Sequence, residues 1–118
     1  MLPACAPTIV PAGTTVQVPT LSGTRYVAAD GTPLPVAVWP AANGDPKVVI
    51  LGLHGFGDYR MAWDEPATIW AKQDITTYAY DQRGFGESPT RARWPGTDAL
   101  VGDALAMLAL VKAKHPGV

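Results

Sequence analysis

The run VVILGLHGFG, Val48–Gly57, decides the fold. Val48, Val49, Ile50, Leu51 and Leu53 follow one another with no alternation of apolar and polar residues. A strand of that kind is covered on both faces, as in a parallel sheet. It stops abruptly at His54-Gly55-x-Gly57. A second stretch, TYAYDQRGFGES (Thr77–Ser88), repeats the pattern and breaks at Asp81-x-Arg83-Gly84-x-Gly86-x-Ser88. In open α/β sheets, ligands bind outside the carboxyl ends of the strands. Glycine there permits close backbone approach and positive φ. Both glycine loops lie at that end and mark a candidate site.

Composition sets the outer limits. The chain has 118 residues, 47% of them hydrophobic, which suits one small globular domain. A formal net charge of −1 gives no electrostatic argument for nucleic acid. No apolar run approaches the ~20 residues of a membrane span. The single cysteine, Cys5, excludes an internal disulfide and a cysteine-based zinc cluster. Nothing in the sequence calls for a metal or another cofactor.

Downstream of the first glycine loop, a helix is expected from about Asp64. Asp64 is its candidate cap, Glu65 suits the positive end of its dipole, and Pro66 is tolerated in the first turn. Trp63, Ala67, Trp70 and Ala71 share one face and read as core packing. Ile75–Asp81 is the next strand, with Tyr78 and Tyr80 on one face and Ala79 and Asp81 on the other. Thr97 or Asp98 caps a long helix to about Lys114. Leu100, Val101, Ala104, Leu105, Leu108 and Val111 form its apolar stripe. Asp98 and Asp103 lie early in it, Lys112 and Lys114 late, as the dipole favours. His115 ends that helix and carries no further expected role.

Upstream, Arg25–Ala29 and Leu34–Trp39 flank Asp30-Gly31, the signal of a two-residue hairpin. Pro35 within the second run suggests an edge or a bulge. Residues 1–22, with Pro3, Pro7, Pro11 and Pro19, read as a flexible tail ahead of a domain over 23–118. Leu2-Pro3-Ala4-Cys5 resembles the end of a bacterial lipoprotein signal, which makes Cys5 a lipidation candidate. A lipidated Cys5 places the protein in the bacterial cell envelope, attached to membrane through that anchor alone. A free thiol there leaves it cytoplasmic. Oligomeric state is open.

From about Arg25 onward the chain resembles the N-terminal half of an α/β-hydrolase, nearest the monoacylglycerol lipase and lysophospholipase group of serine aminopeptidase-type hydrolases. His54-Gly55-Phe56-Gly57-Asp58 and Asp81-Gln82-Arg83-Gly84-Phe85-Gly86-Glu87-Ser88 carry the likeness. It implies an α/β fold with a β-hairpin, then parallel strands alternating with helices, in an incomplete sheet. It also implies that the Phe56 backbone N–H is an oxyanion-hole donor within the loop His54, Gly55, Gly57. The second loop, Asp81, Arg83, Gly84, Gly86 and Ser88, shapes or braces the rim. Ester cleavage passes through a tetrahedral oxyanion that fixed backbone donors stabilise, so the implied substrate is a small-molecule ester or lipid.

The Gly-x-Ser-x-Gly nucleophile elbow of the family is absent. Ser22 and Ser88 are the only serines, and Gly86-Glu87-Ser88-Pro89-Thr90 is a near miss. The resemblance puts the elbow, the acid and the histidine beyond Val118, so the chain alone is expected to be inactive. His54 reads as a buried, hydrogen-bonded imidazole rather than the catalytic base, which follows the nucleophile in this family. Asp81 and Arg83 read as structural, hydrogen-bonded charges. Two other readings stand beside the hydrolase: a truncated binding module without catalysis, and a nucleotide-binding α/β domain whose phosphate loop is Gly52-x-x-Gly55-x-Gly57 with Asp81 as its acidic residue.

Overall fold

The computed structural model describes residues 8–118. Cys5 lies outside them. In chain order the elements are β1 (Thr20–Leu21), β2 (Arg25–Val27), β3 (Pro33–Trp39), β4 (Val48–Gly52), a 3-10 turn (Arg60–Trp63), α1 (Asp64–Ala71), β5 (Ile75–Tyr80) and α2 (Thr97–Lys114). The strands form one sheet in the order β1-β2-β3-β5-β4. Only the β4–β5 pair is parallel, with Ile50 opposite Thr77 and Leu51 opposite Tyr78. The β4-α1-β5 unit therefore returns β5 to the inner side of β4, where it pairs antiparallel with β3. The other edge of β4 has no partner strand among the described residues.

Helices cover the two faces. Tyr26, Leu34, Val36, Tyr78 and Tyr80 pack with Met107 and Val111 of α2. Tyr26 and Tyr80 meet edge to face at 5.4 Å, a geometry aromatic quadrupoles favour. On the opposite face α1 buries Ala67 and brings Trp63 within 6.2 Å of Trp70. The Trp63 indole lies flat over Gly52, where any Cβ would stand 2.8 Å from the ring. Glycine at position 52 thus makes room for packing and does not cradle a phosphate. The glycine loop also leads into the 3-10 turn rather than straight into a helix N-terminus. Both facts remove the nucleotide-binding reading.

Several local expectations are corrected. The Asp30-Gly31 hairpin is not of the two-residue type, whose favoured I′ and II′ turns both need positive φ at the first central residue. Asp30 is not among the residues with positive φ, whereas Gly31 has φ 84°. Gly31 N–H donates to Ala28 O at 2.9 Å and Ala28 N–H to Thr32 O at 2.9 Å, the three-residue turn with a bulged glycine. Pro35 lies inside β3 with neighbours on both sides, not at an edge. It marks the switch between partners: Pro33–Pro35 pair with β2, and Val36–Trp39 pair with β5. The donor that proline lacks is not needed there, and its carbonyl accepts Asp81 N–H at 2.9 Å.

Neither helix is capped by the side chain expected. Asp64 is the first residue of α1, and its carboxylate accepts the Trp39 indole N–H at 2.9 Å. Gly96, with φ 84°, precedes α2, so Thr97 and Asp98 are inside the helix. The stripe on α2 is also shifted. Val101, Leu105 and Leu108 are exposed, while Asp103, Met107 and Val111 are buried. Finally, residues 8–22 are no free tail. β1 falls within them, Val10 N–H donates to Trp94 O at 2.8 Å, and Val16 and Gln17 N–H both reach Ala29 O.

Candidate functional site

The loops after β4 and β5 meet at one end of the sheet, and His54 joins them. Its ring is buried between Gly55 O, 2.8 Å from Nδ1, and the Gln82 N–H, which donates to Nε2 at 3.0 Å. An Nε2 that accepts a backbone N–H carries no proton, so His54 is neutral with its hydrogen on Nδ1, donating to Gly55 O. The Gln82 side-chain amide returns a bond to His54 O at 2.7 Å. Both ring nitrogens are thus engaged by backbone groups.

This arrangement orients the Phe56 amide. Gly55 O accepts from His54 Nδ1 and also from Asp58 N–H at 3.2 Å, closing a four-residue turn with Gly57 at φ 76°. That sign of φ is what a type II turn requires at its third position. The Gly55–Phe56 peptide is trans. Its C=O and N–H therefore point in opposite directions. With the oxygen bonded to the His54 imidazole, the Phe56 N–H points away from that bond. It meets no acceptor among the described residues.

The Phe56 side chain is 87% exposed, yet it is not isolated. Its ring stands 5.3 Å from Phe85, edge on, and 6.3 Å from Trp94. Phe85 in turn packs edge on against His54 at 5.5 Å. Beside this cluster an open groove of about 480 Å³ runs between Gly57–Tyr59 and Gly84–Glu87.

Asp81, Arg83 and Ser88 lie beneath the rim rather than on it. Asp81 is fully buried, and both its oxygens are engaged: Oδ1 accepts the Arg60 N–H at 2.7 Å, while Oδ2 accepts Arg60 Nη1 at 2.6 Å and Glu87 N–H at 2.8 Å. Gly86, at φ 55°, leaves room for that carboxylate, into which a Cβ would project. Ser88 is buried, and its Oγ takes the N–H groups of Gly84 at 3.1 Å and Thr90 at 3.3 Å. No histidine hydrogen-bonds it among the described residues, so the near-miss pentapeptide is a loop brace. Gly84, at φ 91°, presses on the Arg93 carbonyl.

Arg83 forms the second anchor. It grips Asp103 with two bonds, 2.9 Å from Nε and 3.0 Å from Nη2. Its Nη1 reaches Asp30 at 2.7 Å and Thr32 Oγ1 at 2.9 Å. Burial alone would raise the Asp30 pKa, but bonds from Arg83, Gly13 N–H and Thr32 outweigh it and hold the carboxyl well below the usual range. Burial likewise works against the Arg83 charge, and Asp103 and Asp30 more than offset it, raising its pKa. Asp103 is thus no dipole residue of α2 but half of a buried ion pair. Arg60, Asp30 and Asp103 were not legible as partners, because each pairs across a long stretch of chain. His115 also has a partner: its Nε2 is 2.7 Å from the Tyr78 hydroxyl.

Residues 44–118 match the hydrolase family described as serine aminopeptidase, S33. Among solved structures the chain is similar to a monoglyceride lipase from Saccharomyces cerevisiae, determined as a soluble variant with a substrate analogue. The identity is 26% over 92% of this chain and 36% of that one, with a TM-score of 0.64. An esterase from Exiguobacterium antarcticum superposes with TM-score 0.58 at 21% identity, covering 77% of this chain and 32% of that one. A cold-adapted esterase from an Arctic intertidal metagenomic library gives 0.58 at 22%, covering 87% and 51%. The two esterases establish the fold alone. The chain spans about a third of the length of the first two structures. No curated protein matches it significantly. These likenesses bear out the partial α/β-hydrolase fold with an incomplete sheet.

Proposed function

The chain belongs to the serine aminopeptidase S33 family of α/β-hydrolases, and from that premise we propose that it supplies the oxyanion-binding part of a serine hydrolase acting on carboxylic esters with lipid-like groups. One observation carries the reading: the Phe56 N–H, without an acceptor among the described residues, on a peptide whose oxygen is bonded to His54 and Asp58. A donor fixed before the reaction stabilises a developing oxyanion without reorganising. The function named for the yeast monoglyceride lipase points the same way, and the exposed Phe56 ring suits an apolar substrate better than a charged one.

In this reading the substrate carbonyl oxygen accepts from Phe56 N–H as the tetrahedral intermediate forms. His54 orients that donor and takes no proton. Asp81 and Arg83 hold the neighbouring loop in place. The Gly-x-Ser-x-Gly elbow is not among these 118 residues, which alone turn over no ester.

The test compares two substitutions in the hydrolase that carries this sequence, with p-nitrophenyl butyrate as substrate. Phe56→Ala keeps the backbone N–H and should retain kcat/KM within about tenfold. Gly55→Val displaces the donor, whose removal costs about 2.7–4 kcal/mol, or about 100-fold or more. Equal losses in the two variants would argue against the backbone role. Cleavage of an aminoacyl p-nitroanilide with no action on the butyrate would move the substrate class to peptides.

A further inference from the structure

Two consecutive residues of the second glycine loop pin both ends of the turn that carries Phe56. At its start, Gln82 holds His54, by its N–H to Nε2 at 3.0 Å and its side-chain amide to the carbonyl at 2.7 Å. At its end, Asp81 holds Arg60: Oδ1 accepts the Arg60 N–H at 2.7 Å, and Oδ2 accepts Nη1 at 2.6 Å. Residues 55–59 lie between the pins, and none of them hydrogen-bonds the second loop among the described residues. Gly55 and Gly57 make this stretch pliant, since glycine has the most backbone freedom to lose. The Phe56 ring meets Phe85 edge on, but it is 87% exposed and holds little. The height of the Phe56 N–H over the end of the sheet is therefore set at the pins.

The Asp81 pin is the charged one. Asp81 is fully buried and is itself fixed: its N–H donates to Pro35 O at 2.9 Å, and Oδ2 also accepts Glu87 N–H at 2.8 Å. A buried carboxylate needs an opposite charge beside it. Arg60 supplies that charge, with only 18% of its side chain exposed and its Nη2 3.4 Å from Glu87. The Arg60 backbone N–H would bind Asp81 whatever the side chain, so the guanidinium contributes the charge and the second bond. Arg60 does not line the groove between Gly57–Tyr59 and Gly84–Glu87, so it acts through Asp81 and not on a ligand there.

We propose that Arg60 is a positioning residue: its ion pair with Asp81 fixes the Phe56 N–H where an oxyanion would form. The inference rests on the oxyanion reading for its effect on rate, and on the ion pair alone for its effect on the turn. Backbone amide relaxation of the 118-residue chain, measured by NMR, reads the turn without any ester. Order parameters at Phe56 and Gly57 should be about 0.85, the value of rigid backbone. In Arg60→Met, which keeps the length and loses the charge, they should fall to about 0.6 or below. Arg60→Lys should restore them. Should Arg60→Met not fold, the wild type decides: a turn already below about 0.6 overturns the proposal, and one near 0.85 upholds it.

In the active hydrolase, with p-nitrophenyl butyrate, Arg60→Met should lower kcat by about 10- to 100-fold, as a misplaced group can. KM should stay within about twofold, the sign of an interaction made only in the transition state. Arg60→Lys should recover kcat to within about fivefold of wild type, since lysine carries the charge without the fork. A loss carried by KM, or an unchanged kcat in Arg60→Met, overturns the proposal. Should Gly55→Val lose activity while Arg60→Met does not, the oxyanion reading stands and Arg60 has no part in it. Should Arg60→Met loosen the turn while neither variant loses activity, the pin stands and the oxyanion reading falls.

Discussion

His54 and Gln82 exchange two hydrogen bonds: the Gln82 N–H donates to His54 Nε2 at 3.0 Å, and the Gln82 side-chain amide donates to His54 O at 2.7 Å. The two glycine loops are fastened together by this pair. His54→Ala leaves the Gln82 N–H without its acceptor and frees Gly55 O from the imidazole. A loss of about 1–3 kcal/mol is expected, read as a lower denaturant midpoint. Amide exchange should quicken first at Gln82. Unchanged exchange there would show that the ring does not join the loops.

The Arg83–Asp30 contact makes stability fall in acid. The Asp30 pKa is depressed in the folded chain, so on acidification the unfolded chain takes up this proton first and is favoured. The contribution is complete above the ordinary aspartate value of ~3.9. It drains away as pH falls through that value toward the lower folded one. Asp30→Asn should cost about 1.5–3 kcal/mol at neutral pH, as for a hydrogen bond to a charged group, and should flatten the acid limb of urea midpoint against pH. An acid limb as steep as wild type would place the titration elsewhere.

Glycines in this chain divide by what surrounds them. Gly84 and Gly86 have φ of 91° and 55°, and a Cβ on either runs into Arg93 O or the Asp81 carboxylate. Alanine at either position should cost about 2 kcal/mol or more, from backbone strain together with the clash. Gly102 lies in the middle of α2 with nothing near its missing Cβ. There, Gly102→Ala should stabilise by about 0.5–1 kcal/mol. Thermal melts of the three variants give the comparison, and a melting point lowered by Gly102→Ala would contradict it.

The edge of β4 that has no partner strand among the described residues should make the 118-residue polypeptide self-associate. Val48 opens that strand and Leu53 follows its last residue, and both are exposed. An unpaired apolar edge recruits another strand. Sedimentation should show a dimer or larger species. Val48→Lys with Leu53→Lys should shift it toward monomer, since lysine blunts edges. A wild-type monomer at high concentration would exclude the edge as an interface.

What was legible in the sequence was whatever is local. β4 declares itself by its unbroken apolar run, β5 by alternating tyrosines, and the loops between elements by glycine and proline. The buried face of α2 was not legible, because apolar periodicity selects Leu105 and Leu108 while burial follows Asp103. A buried aspartate is tolerable only with Arg83 against it, and nothing near Asp103 in sequence announces that arginine. The turn at Asp30 was misread for the same reason: its carboxylate is committed to Arg83, Gly13 N–H and Thr32 N–H. At the site, the turn at Gly57 is legible in the glycines, but which carbonyl the His54 ring holds is not.

Arg83 also fixes an order of events. Its bonds to Asp30 span 53 residues, and the Tyr26 hydroxyl reaches Asp103 O across 77. Closing such long loops costs entropy that only contacts made afterwards can offset. During synthesis the hairpin emerges with Asp30 lacking its arginine until residue 83 is out and with the Tyr26 hydroxyl lacking its acceptor until α2 is out. The β2–β3 hairpin can form early from its own turn, but it stays unanchored until then. Slow compaction, set by the arrival of residue 103, should therefore precede any ordering of the glycine loops.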